Sequence, residues 1–107
     1  MPPEPERIPA DAPLRPLLDR VLIRRIEADA AADGFAIPEK YRQHSNLGVV
    51  IALGDGVVLG GQWKPLTDFV SVGSKIIYGE YTAEAYDHNG QTYWIVRLQD
   101  IRGVVRE

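Results

Sequence analysis

Few side chains in this sequence are equipped for covalent or metal chemistry. The two histidines, His44 and His88, lie far apart in polar stretches, and a metal pair would need the fold to bring in a third ligand. Solvated loop histidines are the plainer reading. Cysteine is absent, which removes disulfides, thiolate nucleophiles and Cys-ligated metals. No Gly-x-Ser-x-Gly elbow and no Walker loop occurs. Gly54-Asp55-Gly56 has a Gly-x-Gly form, but no helical pattern follows to aim backbone amides at a phosphate, so it reads as a turn. Asp19, Asp68 and Asp100 are scattered among turns and strand ends, and their spacing does not make a general acid–base pair. The sequence therefore predicts no catalytic residue, no metal site and no cofactor bound by this chain.

One short stretch offers chemistry of another kind. Phe35-Ala36-Ile37 is an apolar island inside a polar segment, bounded by Gly34 and Pro38. Two physical readings stay open. The island can fold back and staple the segment to the core. It can instead be held out for the hydrophobic groove of a partner. In that case flanking flexibility weakens each contact through ordering entropy, and repetition in an assembly recovers affinity.

The elements that position this island are short strands. In the run 19–26, Val21 and Ile23 alternate with Leu22 and Arg24, which predicts a strand with one buried face. Residues 27–46 are Ala- and Asp-rich and then polar, too poor in apolar periodicity for a packed helix, and read as a long loop. Leu47-Gly48-Val49-Val50-Ile51-Ala52-Leu53 is the clearest strand. After the turn at Gly54-Asp55-Gly56, Val57-Val58-Leu59 and Gln62-Trp63 flank a Gly60-Gly61 turn, and Pro65 ends the hairpin. Lys75-Ile76-Ile77-Tyr78 is a further strand. The extended run 81–86 and the return strand 91–97 flank a hairpin turn at Asp87-His88-Asn89-Gly90. A brief turn at 99–101 precedes a last edge strand, Gly103-Val104-Val105. Regular short strands with turn signals and no long helix predict an all-β fold, a small β-barrel or sandwich.

Composition sets the outer limits. The 107 residues fit one domain, with 45% hydrophobic and 25% charged residues. The net charge of −3 predicts no face for phosphate backbones, hence no nucleic-acid partner. Residues 1–13 hold five of the eight prolines, a composition that reads as a flexible arm before an ordered domain over 14–107. No apolar run approaches the roughly 20 residues that cross a bilayer. With no signal-peptide pattern and no cysteine, the expected location is the cytoplasm.

These segments, in this order, resemble the GroES (chaperonin-10) family over nearly the whole chain. Arg15-Pro16-Leu17-Leu18-Asp19-Arg20-Val21 is similar to the family's opening Arg-Pro-Leu-x-Asp-Arg-Val. Gly34-Phe35-Ala36-Ile37-Pro38 falls where the family has Gly-Ile-Val-Leu-Pro in its mobile loop. Residues 48–56 resemble the family's Gly-x-Val-x-Ala-Val-Gly-x-Gly, and 70–78 its Val-x-Val-Gly-Asp-x-Val. Residues 90–96 with Asp100-Ile101 resemble its closing strand and Asp-Ile signature.

The resemblance implies an irregular GroES-like β-barrel with two excursions, a mobile loop at about 27–47 and a roof hairpin at about 54–65. Val58, Leu59, Gly60, Gly61, Gln62 and Trp63 fall in the roof. It implies a homo-oligomer, a heptameric ring, whose subunit interface joins Leu14, Arg15, Pro16 and Leu17 of one copy to Gly103, Val104 and Val105 of the next. It also implies a co-chaperonin lid rather than an enzyme. Gly34, Phe35, Ala36, Ile37 and Pro38 would bind a chaperonin-60 (GroEL-type) ring, and that partner, not this chain, would bind and hydrolyse ATP.

The chain departs from the family pattern in places. Ala36 supplies less apolar area than an aliphatic side chain, at about 25 cal/mol per Å², and Asp33 stands where a second glycine is usual. The roof, with Trp63 and Val57-Val58-Leu59, is more apolar than the ceiling of a polar chamber requires, and packing of Trp63 beneath the roof is one account of it. The rival reading is a small β-barrel adaptor without a chaperonin partner, in which the Phe35 island is core. A dehydrogenase-type barrel is a weaker rival, because the chain has no length for a nucleotide domain.

Overall fold

The computed structural model describes residues 7–26, 45–79 and 82–106. Eight strands carry the fold: β1 (Arg20–Arg25), β2 (Ser45–Leu53), β3 (Gly56–Leu59), β4 (Gln62–Pro65), β5 (Lys75–Gly79), β6 (Glu84–His88), β7 (Gln91–Arg97) and β8 (Ile101–Val104). Single 3-10 turns at Leu66–Asp68 and Leu98–Asp100 join β4 to β5 and β7 to β8. Among the described residues six strands form one antiparallel sheet in the order β6-β7-β1-β2-β5-β8, and β3 pairs only with β4. The all-β, GroES-like expectation holds. Among the described residues the main ladder does not close on itself, so β6 and β8 are its two edges. Register shifts at Leu22/Ile23 and Ile77/Tyr78 mark irregularities of the kind that bend strands.

Local sequence accounts for most of these elements. Gly60 and Gly61 take φ of 58° and 78°, and Asn89 and Gly90 take 51° and 81°. Two left-handed residues in succession give the twist that a two-residue hairpin needs. The pairs Leu59↔Gln62 and His88↔Gln91 close those loops. His88, expected in the second turn, is instead the last residue of β6, since two left-handed residues suffice to reverse the chain.

The core is built on one face of the sheet. Val21, Ile23, Val50, Ile76, Tyr78 and Val96 are buried there with Leu53, Leu66 and Val70. Each such side chain contributes about 1.5–3 kcal/mol through its removal from water. Gly48 makes room in this layer, because a Cβ there would meet Ile23 Cδ1 at 3.0 Å and Tyr78 Cε1 at 3.2 Å. One burial expectation is overturned. Leu22, read as part of an exposed face, is fully buried. β1 is an interior strand with β7 and β2 on its two sides, and Leu22 lies opposite Ala52, itself fully buried on that second face.

The stretch read as an arm is described from Arg7 onward. Leu53 N–H donates to Arg7 O (2.8 Å), and Ala12 N–H to Pro9 O (3.0 Å). The Arg7 guanidinium lies 3.7 Å from Asp55, with both side chains about two-fifths exposed, so solvent screening leaves little net stabilisation. Among the described residues no helix is long and apolar enough to cross a membrane.

Candidate functional site

The chain leaves the sheet after β1 and re-enters it at β2 side by side. β1 and β2 are antiparallel, Arg25 pairs with Gly48, and Ile26 N–H donates to Leu47 O (2.9 Å). The two feet of the loop are thus held side by side by backbone pairing. The candidate docking residues Gly34, Phe35, Ala36, Ile37 and Pro38 lie outside the described residues, as does His44.

Polar side chains converge at those feet. Period-2 alternation places Arg25 on the same face as Val21 and Ile23, at the end of the core layer. Its guanidinium carbon lies 4.3 Å from the centroid of the Trp94 ring, a cation–π arrangement. Arg25 Nε donates to the buried Tyr78 Oη (3.1 Å). Arg24 projects outward from the neighbouring position and is exposed. Together with Gly90, Gln91, Thr92 and Trp94 the two arginines line a cleft of about 650 Å³. Reading by motif passed over this group. The signal present in the sequence is a pair of arginines closing a strand whose alternation would otherwise continue an apolar face.

The hairpin β3–β4 stands apart from the main sheet. Val58 and Trp63 are cross-strand partners at its outer end and are 63% and 61% exposed, and Leu59 is exposed beside them. Trp63 does not pack beneath the hairpin. Its indole edge lies over Gly56, where a Cβ would come within 2.6 Å of Trp63 Cζ2. A groove of about 720 Å³ runs between this hairpin and the amino-terminal stretch, lined by Arg7, Ile8, Asp55, Trp63, Pro65, Thr67 and Asp68.

The candidate interface stretches are separate within one chain. Pro16 is buried, Leu14 partly so, and Arg15 and Leu17 are exposed. Among the described residues β8 pairs with β5 on one side only, and Val104 on it is 41% exposed. Two of the aspartates serve local structure. Asp19 Oδ2 accepts from Arg97 Nε and Nη2 (both 3.4 Å), and Asp55 Oδ2 accepts from Leu18 N–H (3.0 Å). His88 stacks on Tyr86 with ring centroids 6.1 Å apart. Among the described residues no three His, Asp or Glu side chains gather as metal ligands.

Comparison with known proteins agrees with this architecture. The family model described as "Chaperonin 10 Kd subunit" matches residues 13–105. A protein of Aromatoleum aromaticum named Co-chaperonin GroES is 36% identical over 94 residues, covering 86% of this chain and 96% of that one. Proteins of the same name from Neisseria meningitidis serogroup B and Nitrosomonas eutropha are also 36% identical. They cover 88% and 86% of this chain, and 98% and 96% of their own lengths. With a match across nearly all of its length, the chain belongs to the chaperonin 10 kDa subunit family.

Proposed function

We propose that this chain is a co-chaperonin, one subunit of a heptameric ring that caps an ATP-bound chaperonin-60 and encloses substrate protein for folding. The family match over residues 13–105 carries the reading. In it the protein is not an enzyme, works in the cytoplasm and binds no nucleotide, since ATP belongs to the large partner. Phe35, Ala36 and Ile37, flanked by Gly34 and Pro38, dock in an apolar groove of the partner. Each copy contributes one weak contact, and the ring sums them.

The subunit interface pairs Leu14, Arg15, Pro16 and Leu17 with Gly103, Val104 and Val105 of the next copy. Support comes from β8, an edge strand with one side unpaired among the described residues, since such an edge is an aggregation liability unless another chain covers it. Val58, Leu59, Gly60, Gly61, Gln62 and Trp63 form the roof over the chamber.

Capture by a GroEL-type ring loaded with ATP tests the proposal. The wild-type chain is expected to co-migrate with that ring, and Ile37→Asp to lose capture while its own assembled mass stays unchanged. An Ile37→Asp protein that is captured as well as the parent would remove the docking assignment. A chain that stays monomeric at micromolar concentration and is never captured would point to the adaptor reading.

A further inference from the structure

We propose that the cleft lined by Arg24, Arg25, Gln91, Thr92 and Trp94 receives an acidic segment of the chaperonin ring, a second contact beside the docking loop. The inference rests on the co-chaperonin reading above and extends it to a site outside the loop. Its first support is charge. Among the described residues two guanidinium groups line the cleft and no carboxylate does, and neither arginine is ion-paired with another of them. Asp87, the cross-strand partner of Thr92, is engaged in accepting the Thr92 hydroxyl (2.7 Å). The chain as a whole carries −3, so this cationic cleft runs against the general charge.

Its second support is preorganisation. Arg25 is held between the Trp94 ring at 4.3 Å and the Tyr78 hydroxyl at 3.1 Å. A guanidinium fixed in this way loses little rotamer freedom on meeting a carboxylate, and its planar fork suits a bidentate contact. Position supplies the third support. Arg25 adjoins Ile26, whose N–H is bonded to Leu47 O, so the cleft lies beside the point where the segment that carries Phe35, Ala36 and Ile37 leaves the sheet. Two arginines make a point contact and not a track along a phosphate backbone, which favours an acidic peptide over nucleic acid.

The test is the association rate of the full chain with an ATP-loaded GroEL-type ring, measured at low salt and at about 0.5 M salt. Arg24→Gln/Arg25→Gln is expected to slow association about tenfold at low salt and to match the parent at high salt, since charges at an interface rim act mainly on the encounter. Arg24→Gln alone, at an exposed position, is expected to give about a threefold effect with unchanged thermal unfolding, which separates charge from folding. A parent-like rate and salt dependence in both variants would overturn the cleft while leaving the lid reading intact. Arginine-dependent affinity for a short DNA oligonucleotide with no change in chaperonin association would overturn it in favour of a phosphate site. A parent chain never captured by the ring would overturn both readings.

Discussion

At the residue scale, the turn at 54–56 joins the β3–β4 hairpin to the segment that leads into β1. Gly54 N–H donates to Arg20 O (2.8 Å) and Gly56 N–H to Leu18 O (3.1 Å), while Asp55 Oδ2 accepts Leu18 N–H. This clasp holds Leu18 at φ 58°, a left-handed conformation that costs a leucine about 1–2 kcal/mol. Glycine is required at 54 by close approach of backbone. A Cβ there would collide with Leu18 O and lie 2.8 Å from Arg20 O. Gly54→Ala is therefore expected to destabilise the protein by about 2 kcal/mol. That corresponds to a fall in Tm of about 10 °C for a domain of this size, measured at fixed protein concentration so that assembly does not enter. An unchanged Tm would mean that segment 18–20 moves aside without cost.

Among the elements, β3–β4 differs from the rest. Among the described residues its two strands pair only with each other, and Val58, Leu59 and Trp63 are exposed near its end. An isolated two-stranded hairpin is marginal in water. This one is anchored at its root by the fully buried Leu66, just past β4, while the Trp63 indole against Gly56 is a contact within the hairpin itself. Opening of the hairpin is thus expected to be local and to precede global unfolding. Native-state hydrogen exchange should find amides of Val58 and Trp63 exchanging about a hundredfold faster than those of Val21 and Ile23 in β1. Protection equal to that of β1 would show that more than two strands holds the hairpin.

For the whole molecule, the open ladder is the governing feature. An interior of β7, β1, β2 and β5 carries the core, and β6 and β8 each have a side unpaired among the described residues. In the proposed ring another copy covers the β8 edge. Seven chains of 11.9 kDa give about 83 kDa. Val104→Lys places a charge at an exposed edge position, where lysine blocks strand addition. The variant is expected to run as a subunit at micromolar concentration by native mass measurement, with its β-sheet circular dichroism retained. Assembly at the parent mass would take β8 out of the interface.

Much of this protein is legible along the chain. Diglycine at 60–61 and Asn89-Gly90 place two hairpins, because few residues tolerate consecutive left-handed φ values. Strands β2, β5 and β7 follow from β-branched and aromatic runs between turn signals, and the ordered motifs from Arg15 to Ile101 carry the family resemblance. Other properties depend on which strands become neighbours. The burial of Leu22 follows from the interior place of β1, and the exposure of Trp63 from a hairpin that stands off the sheet. The Arg25, Tyr78 and Trp94 cluster needs three distant strands brought into register. Turn and strand preferences are set by each residue's own sterics, whereas register is set by the pairing of the whole sheet, including its irregularities. Tertiary structure alone therefore decided that two arginines at the end of a strand form a cleft.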